Sequence, residues 1–260
     1  MGKKIIICFD GTANDPKDAE QKIEESGQIK DDSITNILKL HLMFGGGIGA
    51  TANEQAFANG GQISLYHPGV GTYGGFLKRV FNTLLAPQNA DVGRIITDAR
   101  EDLAKVYEKD NEIFLFGFSR GAAIARRFAA VIGDGTQPEL RGVKIRFMGL
   151  FDTVASIGFP NLDRDDRPRS DVVFENNSIA PSVNEALHLL ALNEKRLAFR
   201  PTLIRKDPRV TEVWFPGAHA DVGGGYYKDG LSDVALSLHA ERVAPPGAGP
   251  EDPHRRGCHP

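Results

Sequence analysis

The chain has 260 residues, 41% of them hydrophobic and 25% charged, with a formal net charge of −3. That length suits one large α/β domain with a substantial core, and the charge balance gives no support for a nucleic-acid partner. The two cysteines, Cys8 in an apolar run and Cys258 near the end, argue against a disulfide framework.

The first residues, Met-Gly-Lys-Lys-Ile-Ile-Ile-Cys, carry positive charge and then apolar residues, but the run stops at Asp10, too soon for a signal h-region. No stretch approaches the about 18 apolar residues of a membrane span. A protein cytoplasmic as synthesised is expected, with any export by a signal-independent route. Residues 3–9 form a β-branched run that reads as a buried parallel strand. Residues 33–44 have helical apolar spacing behind Ser33 as N-cap. A glycine-rich loop at 45–61 leads to a second strand at 63–66. Residues 74–86 and 91–107 read as amphipathic helices separated by Pro87.

Residues 112–116, Glu-Ile-Phe-Leu-Phe, predict the next strand, and Gly117-Phe-Ser-Arg-Gly121 follows it directly, ahead of an Ala-rich helix over 121–130. Strand, small-residue turn and helix are the context in which G-x-S-x-G marks a nucleophile elbow, with Ser119 lifted from the sheet edge. The flanking glycines fit a turn with little room for side chains. Residues 143–154 are another strand, ending at Asp152. A charge-dense loop at 155–181 and a helix at 182–196, N-capped by Ser182, come next. Short strands are expected at 203–204 and 212–215, and a helix at 230–243. Strands alternating with helices predict a mainly parallel sheet with helices on both faces, an α/β-hydrolase-like fold. The domain is expected to span residues 1–243, and 244–260, rich in Pro, Gly and Arg, to be a disordered tail.

A serine nucleophile needs a base, and the base an orienting acid, in the hydrolase order Ser, acid, His. Asp152 ends the strand after the elbow helix and fits the acid; His219, after the last strand, fits the base. Asp221 is the alternative acid. His188 falls inside the helix expected at 182–196 and reads as a packed histidine, as does His41; His67 precedes Ser119, and His239, His254 and His259 lie in the C-terminal part. For the oxyanion hole, one N–H is expected from Arg120 and a second from Gly11 or Thr12 after the first strand. Gly69-Val-Gly-Thr-Tyr-Gly74 matches a dinucleotide fingerprint, but a helix follows where the second strand should be. The acidic residues at 163–171 alternate with arginines and lack EF-hand spacing. No cofactor or metal is expected.

Four motifs, Cys8-Phe-Asp-Gly-Thr-Ala-Asn14, Gly117-Phe-Ser-Arg-Gly-Ala-Ala-Ile-Ala-Arg126, Gly149-Leu-Phe-Asp-Thr-Val-Ala155 and Val213-Trp-Phe-Pro-Gly-Ala-His-Ala-Asp-Val-Gly-Gly-Gly-Tyr226, resemble a bacterial and fungal α/β-hydrolase family. The same domain is similar to the catalytic part of type VI secretion phospholipase effectors, and Ala186-Leu-His-Leu-Leu-Ala-Leu-Asn-Glu-Lys-Arg196 resembles a helix of that family. The resemblance, from about residue 3 to 236, implies ester hydrolysis by Ser119, Asp152 and His219 on an ester or lipid substrate. Peripheral membrane contact belongs to the same expectation, and esterase and phospholipase both stay open. Beyond residue 236 the pattern departs from the family's, as a truncation or frameshift would make it. A non-catalytic α/β-hydrolase-like binding module and a poorly active truncated hydrolase are the competing readings.

Overall fold

The computed structural model describes residues 2–11, 22–23, 29–30, 34–47, 61–69, 89–132, 137–155, 177–226 and 230–243. Eight strands are β1 (Lys4–Phe9), β2 (Lys22–Ile23), β3 (Ile29–Lys30), β4 (Gln62–His67), β5 (Glu112–Phe118), β6 (Ile145–Phe151), β7 (Ala186–Ala191) and β8 (Val210–Phe215). The helices are α1 (Asn36–Met43), α2 (Asn89–Val106), α3 (Arg120–Val131), α4 (His219–Gly223) and α5 (Gly230–Val243). Strands β2 and β3 form a short antiparallel pair. The other six make one parallel sheet in the order β4-β1-β5-β6-β7-β8.

Alternation along the central strands explains why their sequences are apolar throughout. Ile5, Ile7 and Phe9 of β1 enter the core with Val92, Ile95, Ala99 and Leu103 of α2 and with Ile124 and Phe128 of α3. Ile6 and Cys8 point into a second core built with Ile37, Leu38 and Leu40 of α1 and Ala235 and Leu236 of α5. Helices therefore cover both faces, and a strand buried on both sides loses the polar half of its pattern. The fold class and the strands expected at 3–9, 63–66, 112–116, 143–154 and 212–215 are all found, with ends shifted by a few residues.

Two elements were misassigned. Residues 182–196 contain β7, not a helix, and all six residues of Ala-Leu-His-Leu-Leu-Ala are buried between β6 and β8. Ala and Leu favour helix in isolation, but double burial in a parallel sheet overrides that preference. Residues 203–204 form no strand; Ile204 instead donates its N–H to Glu212 Oε1 at 2.9 Å. The N-cap of α1 is Thr35, which accepts from Leu38 N–H at 3.2 Å. Ser33, the helix expected at 74–86, most of the loops at 45–61 and 155–181, the 163–171 cluster and the tail at 244–260 lie outside the described residues.

The core also holds titratable groups. Burial pushes the imidazoles of His67 and His239 from their ordinary 6.5 down to about 4, and burial lowers that of His188 as well. The folded chain favours the neutral rings while the unfolded chain protonates near 6.5. Their contribution is therefore complete above that pH and is lost as the pH falls toward 4. Urea midpoints measured between pH 7 and pH 4 should fall steadily, as the unfolding free energy drops by up to about 1.4 kcal/mol per pH unit per histidine. A flat midpoint across that window would contradict the buried-neutral assignment.

Candidate active site

Every candidate site residue among the described ones sits at the C-terminal edge of the parallel sheet, where α/β folds present their ligands. Asp10 and Gly11 follow β1, Ser119 follows β5, Asp152 follows β6, and His219 opens α4 after β8. Ser119 has φ +57° and Asp152 φ +41°, both in the left-handed region that non-glycine residues avoid. The two strained residues are tied together: Ser119 N–H donates to Phe151 O at 3.0 Å, and Val154 N–H donates to Ser119 O at 3.1 Å.

The elbow glycines have steric reasons. A Cβ on Gly121 would lie 2.1 Å from Phe9 O and 2.4 Å from Asp10 O, and one on Gly117 would lie 2.6 Å from Ala122 Cα. Glycine lets α3 start directly against the ends of β1 and β5. Arg120 is the first residue of α3, so its N–H belongs to the first-turn donors that point off the helix end. Its guanidinium is buried, and burial pushes its pKa down to about 10.

Asp152 and His219 meet. Asp152 Oδ2 lies 2.6 Å from His219 Nδ1, and Asp152 Oδ1 accepts from Ala191 N–H at 2.9 Å. Asp152 is fully buried and His219 nearly so. A carboxylate at Nδ1 assigns the proton to that nitrogen and leaves the Nε2 lone pair available. His219 Nε2 is buried and has no hydrogen-bond partner. The imidazole packs against two rings, with Phe118 at 4.6 Å and Phe199 at 5.0 Å between centroids. Phe118 is the residue before Ser119, so the elbow itself packs on His219.

The alternative acid is engaged elsewhere. Asp221 Oδ2 accepts from Ala218 N–H at 2.7 Å, capping α4, the helix that starts at His219. Gly11 is buried at the expected place, but its N–H donates to Asp10 Oδ1 at 2.6 Å. Asp10 Oδ2 accepts from Tyr66 Oη at 2.6 Å and from Thr35 Oγ1 at 2.7 Å. Thr12 and residues 70–74 of the Gly69–Gly74 segment lie outside the described residues. Among the described residues, no group of three or more His, Cys, Asp or Glu side chains is placed to hold a metal ion, and no helix is long and apolar enough to cross a membrane.

Several supporting residues escaped the sequence reading. Glu194 Oε2 accepts from His219 N–H at 3.2 Å and pairs with Arg196 at 2.7 Å. Burial opposes its charge, but the Arg196 guanidinium and the N–H groups of Arg196 and His219 outweigh it and hold the carboxyl down to about 2. The Arg196 guanidinium lies 4.0 Å over the Phe199 ring. His188, placed by β7 rather than by a helix, bonds to Glu212 Oε1 at 2.9 Å and to Thr153 N at 3.2 Å. A polar Asn-Glu-Lys-Arg run directly after an apolar stretch was the available signal for a strand ending at the site edge.

The family model of the type VI secretion system phospholipase effector Tle1-like catalytic domain matches residues 3–136 and 134–240. The chain belongs to this family. An uncharacterized Saccharomyces cerevisiae protein, YEL023C, is 26% identical over 268 residues, which is 82% of this chain and 34% of that protein. An uncharacterized Pseudomonas aeruginosa protein of known structure superposes with a TM-score of 0.55 at 20% identity, covering 94% of this chain and 45% of its own. The Tle1 effector, solved bound to the VgrG spike of the type 6 secretion system, gives a TM-score of 0.50 at 24% identity, covering 87% of this chain and 51% of the effector. The chain thus spans about a third to about half of the length of these relatives.

Three substitutions probe the site. Asp152→Asn should lower kcat by orders of magnitude, on the order of 10⁴-fold, because an amide no longer fixes the imidazole tautomer. Asp221→Asn should cost far less, since it weakens a helix cap, and the reverse ranking in steady-state kinetics would reassign the acid. Asp10→Asn sets an amide against three donors; it should lower kcat about a hundredfold and reduce thermal stability by about 1–3 kcal/mol. Unaltered kcat and melting temperature would show that Asp10 does not hold the β1 loop.

Proposed function

We propose that this chain is a serine carboxyl-ester hydrolase with Ser119 as nucleophile, His219 as base and Asp152 as acid. The observation that carries the reading is the 2.6 Å bond from the buried Asp152 carboxylate to His219 Nδ1, with the opposite nitrogen buried and unpartnered beside a strained Gly-x-Ser-x-Gly turn. Membership of the Tle1-like phospholipase catalytic family supports the same chemistry.

In this mechanism His219 Nε2 takes the Ser119 hydroxyl proton as Oγ forms a bond to the ester carbonyl carbon. Asp152 stabilises the imidazolium without accepting its proton. The oxyanion receives the Arg120 N–H and one N–H from the β1 loop, at Gly11 or Thr12. An oxyanion at Gly11 competes with Asp10 Oδ1 for that donor. The imidazolium then protonates the departing alkoxide, leaving an acyl-enzyme. Water, deprotonated by His219, attacks the acyl carbon, and Ser119 leaves with the proton.

The substrate we assign is an ester or lipid, with phospholipid favoured by the family. Leu192 and Leu197 are exposed on the segment that carries Glu194 and Phe199 to His219, and Tyr226 is exposed just after α4. These apolar groups near the site support peripheral contact with a lipid surface. The protein acts, in this reading, without a nucleic-acid partner, and reaches its substrate from the cytoplasm or by signal-independent release.

Hydrolysis of p-nitrophenyl esters of increasing chain length, beside phospholipid vesicles, tests the assignment. Wild type should turn over, and Ser119→Ala should lose at least about 10³-fold. Unchanged turnover in that variant would sink the mechanism, and a well-folded wild type without turnover would favour a binding module. Vesicle hydrolysis outrunning that of short esters would mark a phospholipase.

A further inference from the structure

Strand β7 contributes no member of the proposed triad, yet it carries a fully buried histidine beside the acid. His188 Nε2 lies 3.2 Å from Thr153 N, the amide after Asp152, and His188 Nδ1 lies 2.9 Å from Glu212 Oε1. An amide N–H can only donate, so Nε2 must present its lone pair and the proton must sit on Nδ1, donated to Glu212. His188 and Glu212 are direct partners in the β7–β8 register, and His188 faces Leu150 in β6. The arrangement runs across three adjacent strands and ends at the acid's own backbone.

That backbone needs holding. A non-glycine residue at φ +41° is strained and persists only where its surroundings fix it. Asp152 N–H donates to Leu189 O at 2.7 Å, Thr202 N–H donates to Thr153 O at 2.7 Å, and Val154 N–H donates to Ser119 O at 3.1 Å. Those three are backbone–backbone bonds. The Thr153 N–H points away from the ladder as the chain leaves β6, and a side chain receives it.

We propose that His188 is a positioning residue for Asp152: locked in one tautomer by Glu212, it holds the Thr153 N–H and thereby fixes the turn that aims the Asp152 carboxylate at His219. The inference rests on the reading of Asp152 as acid. Arg126, Glu212, Asp152 and His239 are the charged or titratable groups around the ring. Arg126 donates to Thr202 O at 3.1 Å and Asn177 O at 3.3 Å, so it braces the segment that in turn bonds Thr153. Burial opposes the Glu212 charge, but the hydrogen bonds from His188 and Ile204 outweigh it and keep the carboxyl below its ordinary range. An ionised Glu212 is the acceptor that the tautomer requires.

The test is kinetic and compares His188→Leu, His188→Gln and Glu212→Ala on a short p-nitrophenyl ester, per mole of enzyme folded by circular dichroism. His188→Leu removes the acceptor and should lower kcat about tenfold to a hundredfold with KM within about twofold. His188→Gln offers an amide oxygen to Thr153 and an amide N–H to Glu212, and should recover most of that loss. Should His188→Leu fail to fold, Glu212→Ala, on the half-exposed edge strand, should give the same kcat-selective loss at smaller size. Full kcat in folded His188→Leu, or in Glu212→Ala, would overturn the inference, as would a fall in melting temperature with kcat intact. Ser119→Ala in the same assay separates the two levels: if it retains turnover, the triad reading has failed rather than the role of His188.

Discussion

Two backbone hydrogen bonds between the ends of β5 and β6 set the geometry on which the candidate site depends. Ser119 N–H reaches Phe151 O, and Val154 N–H returns to Ser119 O. Both Ser119 and Asp152 are left-handed at this junction, a conformation costing about 1–3 kcal/mol per residue. Each strained turn supplies the bond that fixes the other. The tie also registers Ser119 against Asp152, so neither can shift along its strand alone. Glycine at 117 and 121 is the corollary, because α3 must begin against backbone that leaves no space for a Cβ.

The second constraint is charge in a dry place. Asp152 is fully buried, and an isolated carboxylate there would be costly. Both oxygens are satisfied, one by Ala191 N–H and one by the imidazole of His219. The imidazole in turn packs against the rings of Phe118 and Phe199. The fixed charges that support it, Glu194 and Arg196, are placed at its backbone side and over the outer face of Phe199. The candidate base is thus braced from its backbone side, with Asp152 as the carboxylate at its ring among the described residues.

The elbow, the strand ends and the order of the three candidate residues were legible in the sequence because each is a local pattern with a local cause. A glycine pair around Ser119 reports steric crowding, and an Asp or His just past an apolar run reports the sheet edge. The loop after β1 was legible in place but not in bonding. Asp10 reads as a turn residue, and only the fold brings Tyr66 and Thr35 to its carboxylate. Residues 182–196 were misread for a physical reason. A strand flanked by two parallel neighbours and covered on both faces has no polar period, and Ala and Leu without β-branched residues then imitate a helix.

That misreading concealed what β7 does. In a helix, His188 would be one packed side chain among leucines; in the strand, it lies in register with Glu212 and one step from the turn of Asp152. Leu189 O and Ala191 N–H of the same strand hold the Asp152 amide and carboxylate. Strand β7 therefore bonds the candidate acid at two points through its backbone, and the adjoining Thr153 N–H through an imidazole. A parallel sheet permits this because each strand end lies beside its neighbour's turn, so a residue can be placed by one strand and aimed by the next. Asp152 after β6 and His219 after β8 are separated by one intervening strand, and that strand is what holds the 2.6 Å contact between their side chains.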